Sequence, residues 1–188
     1  MKDFTDDITA AINELKKGGI ILYPTDTIWG IGCDATNPDG VKKIYRLKKR
    51  EEKKSMIILL AHENDIKKYV LHPSKKIIDF ISIQKKPTTA IFDQAINLPK
   101  ELVNIDGSIA IRIVKDAFCE MLLQHLKRPL VSTSANISGD ASPKNFDLIS
   151  AKIKKGVDYI VQHRQGENNS RRPSSIIKLD DNEIVSIR

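Results

Sequence analysis

Residues 130–139 read LVSTSANISG. A short apolar run, Leu130 and Val131, delivers Ser132, Thr133, Ser134 and Asn136 into what reads as a turn, with Ser138 and Gly139 behind it. Hydroxyl and amide groups bind phosphate oxygens, carboxylates and nucleoside edges without carrying charge. Read alone, the stretch fits a Ser/Thr-rich loop satisfying its own backbone better than it fits a site. Its neighbours decide the fold. A helix is expected over 118–126 and a strand over 108–114, SIAIRIV. A strand–helix–strand unit therefore leads into the polar stretch, and the loop at a strand's carboxyl end is where α/β sheets often bind ligands.

The same alternation runs through the chain. Residues 6–17 carry Ile8, Ala11, Ile12 and Leu15 at helical spacing, and Gly18-Gly19 stop that helix. Residues 20–23 form an apolar strand, followed by a polar break, PTDTIWGIG (24–32). Asn37-Pro38 caps and opens a helix running through Val41, Ile44, Tyr45 and Leu47 to Lys48-Lys49-Arg50. The run MIILL (56–60) suits a strand buried on both faces. Short helices are expected at 66–70 and 75–83, a strand at 89–92 and a helix over 145–155. Strands at 159–161, 175–179 and 183–187 follow, the last two joined as a hairpin by Asp180-Asp181-Asn182. Only 164–173, RQGENNSRRP, reads as mobile. Interleaved strands and helices predict an α/β fold with a twisted mixed sheet, in one domain over 1–188.

Composition narrows the class. Of the 188 residues, 40% are hydrophobic and 29% charged, as in a soluble globular protein. No apolar run approaches the roughly 20 residues that span a bilayer, and the acidic, amphipathic start is not a signal peptide. Cys33 and Cys119 are far apart without metal-ligand spacing, so neither a zinc site nor a disulfide is expected, and the compartment is taken as reducing cytoplasm. The net charge of +7 leaves room for a polyanionic partner.

Four features compete for function. Lys48 and Arg50 converge on one anion only if the backbone leaves helical geometry there; otherwise they belong to a solvated basic run. Arg112 shares a strand face with Ser108 and Ala110, which fits an anion clamp or a half-exposed strand. Hydroxyls at Thr25, Thr27, Ser132, Thr133, Ser134, Ser142, Ser174 and Ser175 lie beside basic residues. Asp26 faces a cation or caps a turn. No G-x-S-x-G, Walker-type loop or G-x-G-x-x-G is present. The residues point to cations and neutral donors around a polyanionic ligand, with catalysis by proximity and charge stabilisation.

Together, GGIILYPTDTIWGIGCDA, IYRLKKR, SIAIRIV and PLVSTSANISG resemble the YrdC-like family of threonylcarbamoyl-AMP synthases, from Ile20 to the chain end. The family's K-x-R element is matched by Lys48-Lys49-Arg50 and its S-x-N element by Ser134-Ala135-Asn136. The resemblance implies a twisted sheet with helices on its faces and a concave basic cavity. It also implies formation of threonylcarbamoyl-AMP and pyrophosphate from L-threonine, bicarbonate and ATP, with magnesium. The product would supply the threonylcarbamoyl group for a tRNA adenosine through a downstream transferase complex. Carried over by position, Thr27, Arg112, Ser132 and Ser174 fall on the threonine side. Lys48, Arg50, Lys54, Ser108, Ser134, Asn136, Ser142 and Arg188 fall on the ATP side, with Lys48 and Arg50 as the catalytic pair and no residue assigned to a metal. The chain departs from the family pattern at Glu51, at Lys54-Ser55-Met56, at Leu59, at Lys85-Lys86 and at Val114. Two alternatives stand beside this: a non-catalytic YrdC-like RNA- or nucleotide-binding protein with tRNA or double-stranded RNA contact, and carbamoyl transfer as in the domain used for hydrogenase maturation.

Overall fold

The computed structural model describes residues 4–51, 56–168 and 172–187. Helix α1 (Thr5–Lys16) leads into β1 (Ile21–Tyr23) and β2 (Gly30–Gly32), then α2 (Pro38–Lys48) and β3 (Ile57–Leu60). A 3₁₀ turn (Glu63–Lys68), α3 (Lys75–Ile83), β4 (Thr88–Phe92), β5 (Ile109–Ile113), α4 (Ala117–Leu126) and β6 (Leu130–Ser134) follow. The chain ends with α5 (Ala151–Lys155), β7 (Tyr159–Ile160), β8 (Ser175–Asp180) and β9 (Glu183–Ser186). The strands form one mixed sheet in the order β7-β1-β2-β6-β3-β5-β4-β8-β9. Three pairs are parallel, β1/β7, β3/β5 and β4/β8, and the rest antiparallel.

Period-2 alternation splits the sheet between two cores. Ile20, Leu22, Ile58, Leu60, Ile109, Ile111 and Val131 pack with Val41 and Ile44 of α2 and Ile77 and Ile81 of α3. Ile21, Tyr23, Leu59 and Leu130 pack on the opposite face with Ile8, Ile12 and Leu15 of α1 and Phe118 and Leu122 of α4. Beyond these two helices, the same face presents Gly30, Ile57, Ile91, Ala110, Arg112, Ser132 and Ser134, residues that line a cavity.

The helix expected at 66–70 is a 3₁₀ turn over Glu63–Lys68, and four further stretches differ from the sequence reading. The strand expected to end at Val131 continues to Ser134, because Ser132 pairs with Ile57, and Thr133 and Ser134 pair with Ile31 and Gly30. The polar break 24–32 contains β2, disguised by its glycines. A Cβ on Gly32 would stand 2.6 Å from the Val131 carbonyl oxygen and 2.8 Å from Tyr23 Cε1. The helix expected over 145–155 is confined to α5. Upstream, Leu148 N–H donates to Asn145 Oδ1 and Ile149 N–H to the Phe146 carbonyl, while Ser150 caps α5. Lastly, the segment from residue 164 is tied down at its start. Arg164 Nη1 lies 2.6 Å from Asp116 Oδ2, and Gln165 Nε2 donates to the Val161 carbonyl.

Candidate active site

The cavity, about 400 Å³, brings together Thr27, Arg50, Arg112, Ser132, Ser134, Ser142 and Ser174 from segments more than a hundred residues apart. The sheet explains the gathering. Arg112 sits between Ile111 and Ile113, which face the other core, so alternation turns its guanidinium toward the cavity. Its strand neighbours are Leu59 and Thr89. Small residues, Gly30 and Ala110, leave room on the cavity face.

Arg112 is only 2% exposed. Its Nη1 donates to Thr27 Oγ1 at 3.2 Å and its Nη2 lies 3.1 Å from Asp26 Oδ1. Nε is buried without a hydrogen-bond partner. Arg112 thus places a buried cation on the cavity lining, and a planar guanidinium suits a carboxylate. Ser174 is fixed by a 2.8 Å contact between its hydroxyl and that of Thr89.

Arg50 reaches the cavity because α2 stops short of it. Lys49 takes a left-handed conformation (φ 49°) at the helix end, and Arg50 N–H donates to the Tyr45 carbonyl. This break in helical geometry separates Arg50 from Lys48. Lys48 does not line the cavity. It is buried, and its ammonium donates to the carbonyls of Ser134 and of Asn136, the latter at 2.6 Å. Ser138 N–H returns a bond to the Lys48 carbonyl. Burial, with the Arg50 guanidinium as a smaller contribution, pulls the Lys48 ammonium down to about 8. Burial also lowers Arg50 from its ordinary value.

Two further predicted residues sit beside the cavity. Asn136 closes the loop after β6 by donating from Nδ2 to the carbonyls of Ile137 and Asp140. Ser108 lines an adjoining hollow of about 680 Å³, where its hydroxyl accepts from Asn104 Nδ2 at 2.9 Å. Asn104 and Ile91 border both spaces. The Ser108–Arg112 clamp is therefore not formed as one contact. Lys54 and Arg188 lie outside the described residues.

Several lining residues escaped the sequence reading. Trp29, packed 4.9 Å from the Phe146 ring, was signalled by being the sole tryptophan, beside a hydroxyl-rich loop. Asn104 sits in an irregular segment with no periodicity to mark it. Among the described residues no group of three or more His, Cys, Asp or Glu is placed to hold a metal ion. No described helix is long and apolar enough to cross a membrane.

The Sua5/YciO/YrdC family model, described as "Telomere recombination", matches residues 13–188. The chain belongs to this family. A Methanocaldococcus jannaschii relative is 38% identical over 178 residues, covering 93% of this chain and 81% of its own. The threonylcarbamoyl-AMP synthase of Pseudoalteromonas translucida is 33% identical over 172 residues, 90% and 91% of the two chains. In fold, the chain is similar to P. abyssi Sua5 complexed with L-threonine (TM-score 0.85, 21% identity), covering 96% of this chain. It spans 53% of that protein, about half its length. Full-length HypF, in a phosphate- and nucleotide-bound form, superposes with TM-score 0.84 at 20% identity over 97% of this chain and 28% of that one. Both structures share the fold, which by itself does not separate their activities.

Proposed function

We propose that this chain is a threonylcarbamoyl-AMP synthase. The observation that carries the reading is the Arg112 guanidinium lining one cavity with Arg50 and the β6 hydroxyls. Arg112 binds the threonine carboxylate, with Thr27, Ser132 and Ser174 at the same end. Arg50 and the hydroxyls of Ser134 and Ser142 face the nucleotide phosphates, and the adenosine end extends toward Asn104 and Ser108.

The threonine amine attacks the bicarbonate carbon, forming an N–C bond with loss of water. A carbamate oxygen then attacks the α-phosphorus of ATP, and the bond to pyrophosphate breaks. Arg50 offsets charge gathering on the leaving group, and the cavity supplies proximity. The described residues form no magnesium cage. An ion accompanying ATP would be held by the phosphates and water, as is usual for magnesium, and no step is assigned to it. The adenylate is a reactive acyl donor and calls for a transferase that moves the threonylcarbamoyl group to tRNA.

The test is incubation with ATP, labelled bicarbonate, L-threonine and magnesium. Pyrophosphate and a labelled adenylate should form only with all three substrates and fall sharply in Arg50→Ala. Pyrophosphate release that ignores threonine, or that equals the Arg50→Ala level, overturns the reading.

A further inference from the structure

The hydrogen bonds behind Thr27 have only one consistent direction. Thr25 Oγ1 lies 2.8 Å from the Ile28 carbonyl, which can only accept, so the Thr25 proton is committed there. Thr27 N–H donates to Thr25 Oγ1 at 2.9 Å. The two hydroxyl oxygens are 2.8 Å apart, and with the Thr25 proton engaged, Thr27 must be the donor between them. Arg112 Nη1, which can only donate, points at Thr27 Oγ1. The Thr27 hydroxyl therefore has its proton turned away from the cavity and one lone pair on Arg112. What remains for a ligand is a lone pair.

We infer that Thr25 is a positioning residue that makes Thr27 an obligate acceptor toward the substrate amine. Thr25 is buried and does not line the cavity, so its hydroxyl reaches the amine site through Thr27. This rests on the reading of the cavity as an amino-acid site. An amine hydrogen can donate to Thr27 while the nitrogen lone pair stays free to attack carbon. A freely rotating Thr27 hydroxyl would instead donate to that nitrogen and occupy its lone pair. The arrangement also rejects a ligand offering only an acceptor at this point, because two lone pairs would face each other.

The test compares Thr25→Val, which keeps shape and removes the three hydroxyl bonds described above, with Thr25→Ser, which keeps them. In pyrophosphate release, Thr25→Val should raise the threonine KM by about tenfold and leave the ATP KM within about twofold. Thr25→Ser should stay within about twofold of wild type for both. An unchanged threonine KM in Thr25→Val overturns the inference. So does an equal rise in both constants, or a Thr25→Ser variant as impaired as Thr25→Val. Should Thr25→Val not fold, the wild-type protein still decides. L-2-aminobutyrate should compete with threonine, while 2-oxobutyrate, the same skeleton with an acceptor in place of the amine, should not compete at about tenfold higher concentration. Equal competition overturns it. Wild-type protein showing no threonine-dependent release would sink the synthase reading itself, a distinct result.

Discussion

Replacing Arg112 by Met tests the energetic centre of the site. Arg112 Nη2 lies 3.1 Å from Asp26 Oδ1, and both side chains are largely buried, 3% and 11% exposed. At an effective dielectric near 20, unit charges at that distance attract by about 5 kcal/mol, against which the desolvation of both ions must be set. Removing the guanidinium takes away the 3.1 Å ion pair to Asp26 and the 3.2 Å donor to Thr27. The expected loss is about 3–5 kcal/mol, a large share of the roughly 5–15 kcal/mol that holds an ordinary domain together. The double variant Asp26→Asn/Arg112→Met removes both charges and should recover most of that loss, giving a coupling energy of at least about 2 kcal/mol. Urea denaturation of wild type, both single variants and the double at pH 7 measures the cycle, with equal m-values as the control. Threonine-dependent activity should be absent in Arg112→Met and in the double alike. An Arg112→Met variant that unfolds within about 1 kcal/mol of wild type, or a double as unstable as the two singles summed, would refute a stabilising Arg112–Asp26 pair.

Three other outcomes are expected. Lys48 titrates at about 8 in the fold against an ordinary 10.5, so the unfolded chain holds more protons between those values and stability from this group rises with pH across them. Relative to Lys48→Met, wild type should gain about 2 kcal/mol between pH 7.5 and 9.5 in urea melts, and a flat difference would contradict the burial argument. Gly32→Ala drives a methyl against the Val131 carbonyl and the Tyr23 ring. It should cost about 2 kcal/mol and lower the Tm by roughly 4–8 °C, and an unchanged Tm would deny the close approach. Trp29, the sole tryptophan, lines the cavity, so its fluorescence should change on adding ATP and L-threonine to wild type and remain nearly constant in Arg50→Ala. No response at saturation would place the substrates elsewhere.

The elements that were legible in the sequence are those with local causes. Asn37 accepts from the N–H groups of Asp39 and Gly40 at the start of α2, as the Asn-Pro pair announces. Glu183–Ser186 returns on Ser175–Asp180 through Asp181 and Asn182, both at positive φ, as the polar turn requires. β2 was hidden because its glycines are demanded by the Tyr23 ring and by strand β6, neither of which a local pattern shows. The face of Arg112 followed from alternation alone. That Lys48 would turn from the cavity to two carbonyls did not, since the left-handed Lys49 that divides it from Arg50 carries no glycine signal. Ser108 shares the parity of Arg112, yet it precedes β5, and Asn104 draws its hydroxyl into the adjoining hollow. Periodicity gives a side chain's face, whereas the partners that finally hold it come from distant segments.

Strand β6 lies between β2 and β3 in the sheet although it comes after β5 in the chain. A nascent polypeptide ending before residue 130 therefore holds a β1–β2 hairpin and a β3–β5–β4 ribbon with no ladder between them. Each half exposes an unpaired edge able to recruit strands from other molecules. Insertion of one five-residue strand closes that gap, and the same event sets Ser132 and Ser134 opposite Ile57 and Gly30. Joining of the two half-sheets and assembly of the binding hollow thus depend on the same strand.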